Sequence, residues 1–303
     1  MKQNQGTLQP HSKKEKVLWS ELLPFEFAKR TAKCPIVYLP LGICEPHGQI
    51  SAMGLDTIKA EYLCEEAARR YGGIVAPSLG YQIHEAGYHA AWLESAVGDI
   101  NPHITAMPPN VLLYFYLYQL RAFVNAGFKA IVVISGHSGG NQEDLRSVTA
   151  TFNKLVPIAT WIGSDPELVN GLFIGDHAGK YEISQLMYLR PELVDFTRLE
   201  LESSPDSGGR LALGHDALEA SAELGQEIIE ASLHKLSDIL AELQQQCKTA
   251  ERLAEPIDYA LTELIWEIAQ KKRAKWITAS PFPNQTPVTK HSRWKRYEYL
   301  DKT

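Results

Sequence analysis

No stretch of the chain approaches the roughly 18 consecutive apolar residues that a membrane span requires. Cysteine is scarce: Cys34, Cys44, Cys64 and Cys247 are scattered, without metal-ligand pairs or the density of a disulfide framework. Excess positive charge is also lacking. Thirty Lys and Arg stand against 36 Asp and Glu, a formal net charge of −6, so composition does not point to a polyanion binder. The segment Met1-Lys2-Gln3-Asn4-Gln5-Gly6 is polar and has no apolar signal stretch. Internal repeats and low-complexity tracts are absent, as are a Walker lysine loop and a GxGxxG turn, which disfavours a nucleotide-binding protein. These absences leave a soluble, reduced, cytoplasmic protein as the expectation, with no membrane partner.

What is present is a chain of 303 residues, 45% hydrophobic, long enough for a sizeable core. Apolar runs at 36–41, 73–77, 130–135 and 157–162 read as strands. Helical spacing is expected at about 57–70, 111–123, 142–155 and from 217 to about 246. Alternation of this kind means an α/β fold, a mainly parallel sheet flanked by helices in a single domain. The expected organisation is an N-terminal arm over 1–30, the domain over 31–250, and a C-terminal helix and basic tail over 251–303. From Lys271 onward nine Lys and Arg face only Glu298 and Asp301, net +7, which leaves −13 on the rest. Nucleic acid is the less favoured partner for this tail; an arm packed on the acidic body or a neighbouring subunit is expected.

Ligands of α/β sheets gather at the carboxyl ends of strands. After the first strand the chain reads Gly42-Ile43-Cys44-Glu45-Pro46-His47-Gly48, then reaches Asp56 just before a helix. Residues two apart in extended chain point the same way, so Glu45 and His47 can converge. Two carboxylates and an imidazole suit Zn²⁺ or Mn²⁺, although Asp56 could equally be a helix N-cap. The strand at 130–135 ends in Ser135-Gly136-His137-Ser138-Gly139-Gly140-Asn141. A histidine set among glycines there is a candidate ligand or base. In Asp176-His177-Ala178-Gly179-Lys180-Tyr181-Glu182, His177 and Glu182 would stand about 140° apart on one helix. They can share a site only if His177 precedes the helix.

Taken together, these three segments resemble the creatininase family of metal-dependent amidohydrolases. The resemblance lies in Leu39-Pro40-Leu41-Gly42 with Glu45, His47 and Asp56, in Gly136-His137 with Gly140-Asn141, and in Asp176-His177-Ala178-Gly179 with Glu182 and Ser184. Gly214-His215-Asp216 and the long helix after it also look like the family's C-terminal half, so the likeness covers roughly 34–246. It implies a creatininase-like parallel-sheet fold, a hexameric homo-oligomer, and a C–N hydrolase of a cyclic amide or related small molecule. It also implies two divalent ions, Zn or Mn with Fe as a further option, bridged by a carboxylate and a water. Asp56 would bridge, Glu45 and His137 would hold one ion, His47 and Glu182 the other, and His177 would be the acid/base. The substrate pocket would be lined by His84, Tyr88, Ser138 and Gly139, with His89 close by. One family histidine is missing at Gln49-Ile50, and Gly139 stands where creatininase itself has a liganding glutamate. Formamide and cyclic-ketone hydrolysis therefore stay open as alternatives to creatinine, as does a catalytically silent relative.

Overall fold

The structure is a computed structural model, describing residues 15–98, 101–203, 212–250, 255–282 and 284–294. The elements in chain order are α1 (Pro24–Lys33), β1 (Ile36–Leu41), α2 (Leu55–Tyr71), β2 (Ile74–Val75) and α3 (Tyr88–Ala96). There follow α4 (Pro109–Asn125), β3 (Ala130–Ser135), α5 (Asn141–Phe152), β4 (Ala159–Ser164) and α6 (Asp165–Leu168). The chain continues with α7 (Lys180–Leu189), α8 (Ala222–Thr249) and α9 (Tyr259–Gln270). The four strands form one parallel sheet in the order β2-β1-β3-β4.

The near-continuous apolar runs of β1 and β3 are those of strands covered on both faces. Their alternate residues divide cleanly. Val37, Leu39, Leu41, Ile131 and Val133 join α4, α5 and α9 in one core. Ile36, Tyr38, Val132 and Ile134 join α2 and α8 in the other. The long helix α8 is started by Ser221, whose hydroxyl accepts from the Leu224 amide at 3.1 Å. Asp258 starts α9 in the same way, accepting from Leu261 N at 2.8 Å.

Several boundaries differ from those expected. Only Ile74–Val75 of the 73–77 run is strand, and the long helix begins at Ala222, where Ser221 caps it, instead of at 217. Strand β4 lies two residues later than the 157–162 run, because pairing with β3 sets its register: Ala130 opposes Ala159 and Ser135 opposes Ser164. Helix α2 begins at Leu55, so Asp56 sits inside its first turn and Gly54 holds the N-cap position. Helix α1 runs across residue 30, and Trp19, before it, packs on Phe27, Phe123 and Phe128. Residues 1–14 lie outside the described residues. No helix among the described residues is long and apolar enough to cross a membrane.

Candidate metal centre

The carboxyl ends of β1 and β3 open onto the N-terminus of α2, and the backbone there is unusually close. A Cβ at Gly136 would stand 1.9 Å from the Asp56 carbonyl oxygen, so only glycine lets the turn after β3 pass over α2. The turn then presents His137 beside Asp56. Asn141, at the start of α5, pins the neighbouring loop: its side chain accepts from Ile83 N at 3.0 Å and donates to Ile83 O at 3.2 Å. That bond fixes the position of His84. Helix α7 is capped from outside by Asp176, which accepts from the amides of Gly179 at 3.1 Å and Tyr181 at 2.7 Å. His177 therefore precedes the helix and Glu182 lies in its first turn, which satisfies the condition for the two to share a site.

Glu45, His47, Asp56, His137 and Glu182 come together, all buried. Asp56 stands between two imidazoles. Its Oδ1 is 3.3 Å from His47 Nε2 and its Oδ2 is 3.5 Å from His137 Nδ1. His47 Nε2 is also 3.4 Å from Glu182 Oε2, while His47 Nδ1 donates to the Glu45 carbonyl at 3.0 Å, which turns Nε2 toward the carboxylates. His137 Nδ1 lies 2.8 Å from Glu45 Oε1, and His84 Nε2 lies 2.7 Å from Glu45 Oε2. Three donor groups result, His47–Asp56–Glu182, Glu45–His84–His137 and Glu45–His47–His177, the donor atoms of each lying within 4.8 Å of one another. Neither Asp56 oxygen nor His47 Nε2 has a hydrogen bond of good geometry despite full burial. Buried polar atoms left in that state need a partner, and oxygen and imidazole donors at these spacings fit divalent Zn or Mn.

The charges respond to one another. Burial pushes Glu45 up, but His137, His84 and His177 override it and hold the carboxyl well below its ordinary value. Burial alone would lower His137; the Glu45 and Asp56 carboxylates raise it to about 10. His47 is likewise pushed down by burial and raised well above its ordinary value by Asp56 and Glu182.

His177 is the most open of these groups, with 27% of its side chain exposed. Its Nε2 lies 3.1 Å from the Pro46 carbonyl oxygen, an acceptor, so Nε2 carries the hydrogen and Nδ1 faces the centre, 4.0 Å from Glu45 Oε1. The ring stacks on His47 at 4.9 Å, and Trp92 meets it edge-on at 5.1 Å. Burial lowers the pKa of His177, which keeps it neutral.

The expected pocket residues divide. Tyr88 donates its hydroxyl hydrogen to the Gly139 carbonyl, and His84 stacks on His89 at 4.7 Å. Ser138, by contrast, is exposed at the rim. A Cβ at Gly139 would lie 2.4 Å from His89 Nε2, so His89 fills the space that a longer side chain at 139 would need. Burial, reinforced by His84 and His137, holds His89 neutral.

Sequence reasoning missed Lys59 and Asp165. Lys59 Nζ is 2.5 Å from Glu182 Oε1 and 3.2 Å from Asp165 Oδ1, and the three groups are buried. The signal was available: Lys59 falls four residues before Leu63 and eight before Ala67, in the apolar stripe of α2. Asp165 follows β4 directly, at a strand's carboxyl end, once that strand is placed at Ala159–Ser164.

The family model of Creatininase, described as creatinine amidohydrolase, matches residues 20–240. The chain is 26% identical over 238 residues to creatinine amidohydrolase of Pseudomonas putida, covering 68% of this chain and 89% of that protein. It is 23% identical over 112 residues to the 3-dehydro-scyllo-inosose hydrolase of Thermotoga maritima, 37% of this chain and 33% of that one. A solved structure of creatininase in a Mn form superposes with a TM-score of 0.61 at 23% identity, covering 76% of this chain and 99% of that one. A creatininase variant in a Zn–Zn form gives 0.61 at 22% identity, with coverage of 76% and 99%.

Proposed function

The chain belongs to the creatininase family of metal-dependent amidohydrolases, and from that premise we propose that it hydrolyses a C–N bond of a small cyclic amide or related substrate at a two-metal centre. The observation that carries the reading is Asp56, whose two oxygens face different imidazoles, His47 at 3.3 Å and His137 at 3.5 Å. Glu45 and His137 would hold one ion and His47 and Glu182 the other, with Asp56 shared. Two such ions, when bound, supply Lewis-acid polarisation of the scissile carbonyl and a water of lowered pKa.

The chain's own groups supply the rest. His177, neutral and bonded through Nε2 to the Pro46 carbonyl, holds Nδ1 ready to take a proton and return it to the departing nitrogen. His84 stacked on His89, and Trp92 set edge-on to His177, line one side of the centre with rings. Glycine at 139, with His89 in the adjoining space, argues for a substrate other than creatinine. A formamide or a cyclic ketone is the second reading, left open by the same glycine at 139. The test is incubation of the Zn²⁺- or Mn²⁺-loaded protein with creatinine, a panel of lactams, formamides and cyclic ketones. Turnover of creatinine, a lactam or another cyclic amide supports the proposal. Turnover of formamides or ketones alone moves the assignment to the second reading, and turnover of none speaks for a silent relative.

A further inference from the structure

The two halves of the centre have unequal neighbours. Beside Glu45 and His137 stands a further potential donor, His84. Beside His47 and Glu182 stands a cation: Lys59 Nζ is 2.5 Å from Glu182 Oε1 and 3.7 Å from Asp56 Oδ1, with its side chain 2% exposed. Lys59 rises from α2 one turn after Asp56 and is met by Asp165 Oδ1 at 3.2 Å. Asp165 is itself fixed, because its Oδ2 accepts from Tyr181 OH at 3.0 Å and Gln185 Nε2 at 3.3 Å. The lysine thus has one carboxylate of its own and leans on two carboxylates of the centre.

We propose that Lys59, anchored by Asp165, makes the two metal positions unequal, so that the Glu45–Asp56–His137 position fills first and the His47–Asp56–Glu182 position is the weaker. The inference rests on the two-metal reading above. An ion in the second position shares both of its carboxylates with a built-in ammonium, at close range and without water to screen the repulsion. An ion in the first position shares only Asp56 with it. Lys59 also occupies Glu182 Oε1, leaving Oε2 to face His47. At limiting metal supply the protein then holds one ion, and the second position reports metal availability.

The experiment is a Zn²⁺ titration of the metal-stripped full-length chain against a chromophoric chelator. Two steps at least about ten-fold apart are expected, the size of a 1.4 kcal/mol difference. Lys59→Met combined with Asp165→Asn removes the cation and its counter-charge together, and should tighten the second step about ten-fold or more without moving the first. Asp165→Asn alone leaves the lysine without its own anion and should weaken the second step further. Lys59→Arg keeps the charge and should keep the order of the wild type. Far-UV circular dichroism checks the fold; should the double variant not fold, Asp165→Asn and Lys59→Arg carry the test. If Lys59 merely orients Glu182, the double variant weakens the second step, and the proposal is wrong. Two coincident steps in the wild type overturn this inference alone, whereas no zinc binding overturns the two-metal reading with it.

Discussion

The floor and the roof of this site are built differently. The floor consists of the carboxyl ends of β1 and β3 with the first turns of α2 and α7, all within the matched residues 20–240. It is densely charged, buried, and held by backbone approaches as close as that at Gly136. The roof is α3, and much of what holds α3 lies outside that range. Gln285 Nε2 donates to Tyr88 O at 2.9 Å, Thr289 N donates to Glu94 Oε2 at 3.0 Å, and Trp294 Nε1 donates to Gly98 O at 3.1 Å. Phe282 stacks on Tyr88 at 4.2 Å, and Trp294 is wholly buried against Ala90, Leu93 and Val97. In the proposed reading the floor handles ions and protons, and the roof, strapped down by the C-terminal segment, would shape what can lie on it. Chemistry and substrate choice would then fall on segments that can change independently.

The largest effect should come from the centre of the floor. Asp56→Ala removes the carboxylate that both proposed positions would share, so both ions and all activity are expected to go, whereas Glu182→Ala should cost mainly one ion. Elemental analysis of the two variants decides it, and equal losses would show that Asp56 is not shared. Next comes His177→Ala, which should keep both ions and lose roughly 10²- to 10⁴-fold in turnover, the usual worth of a positioned acid or base. Loss of metal from that variant would make His177 a ligand and erase the distinction between holding ions and moving protons.

The floor was largely legible in the sequence because its signals are local. A strand, a glycine turn and a histidine lie within a few residues at 130–137, and Glu45 and His47 share one extended segment. The roof was only half legible. His84 and Tyr88 were expected beside the pocket, but Trp276 and Trp294 in a basic tail gave no period, since an irregular strap meets its partners one contact at a time. The tail's charge suggested an electrostatic arm. In the structure its described part is fastened by buried indoles and by hydrogen bonds to α3 and α5. Lys59 escaped notice for a different reason: a lysine in an apolar stripe reads as an exception until Asp165 and Glu182, from distant segments, are seen to meet it.

A smaller effect separates the floor with and without metal. His137 is raised from 6.5 to about 10 by its carboxylates in the metal-free centre. A basic group with a raised folded pKa contributes stability that is fully present below its unfolded value and is lost as pH rises through the folded one. The metal-free protein should therefore lose stability between about pH 6.5 and pH 10. Ligation requires neutral imidazoles, so the loaded protein should not show that loss, and zinc uptake at neutral pH should release protons. Melting curves of both forms across this range test the sign. A metal-free protein as stable at the upper end as at the lower would mean that the imidazoles are already neutral.

The smallest effect on the centre should come from cutting the strap. Asp144, on α5, accepts from Ile277 N at 2.8 Å, from Thr278 N at 2.9 Å and from the Thr278 hydroxyl at 2.5 Å, and it is buried. In Asp144→Ala three donors lose their acceptor at once. The cost of leaving a buried donor unpaired is about 1–3 kcal/mol, so melting should fall by several degrees. The Thr278 carbonyl oxygen lies against Gly87, at 2.6 Å from where a Cβ would be, so release of the strap loosens the start of α3 first. His89 and Trp92 ride on that helix, but none of the five proposed ligands does. The variant should thus bind two zinc ions with wild-type affinity while α3 exchanges its amide hydrogens faster. Loss of zinc together with the strap would show that roof and floor are one unit, and the division between them would have to be given up.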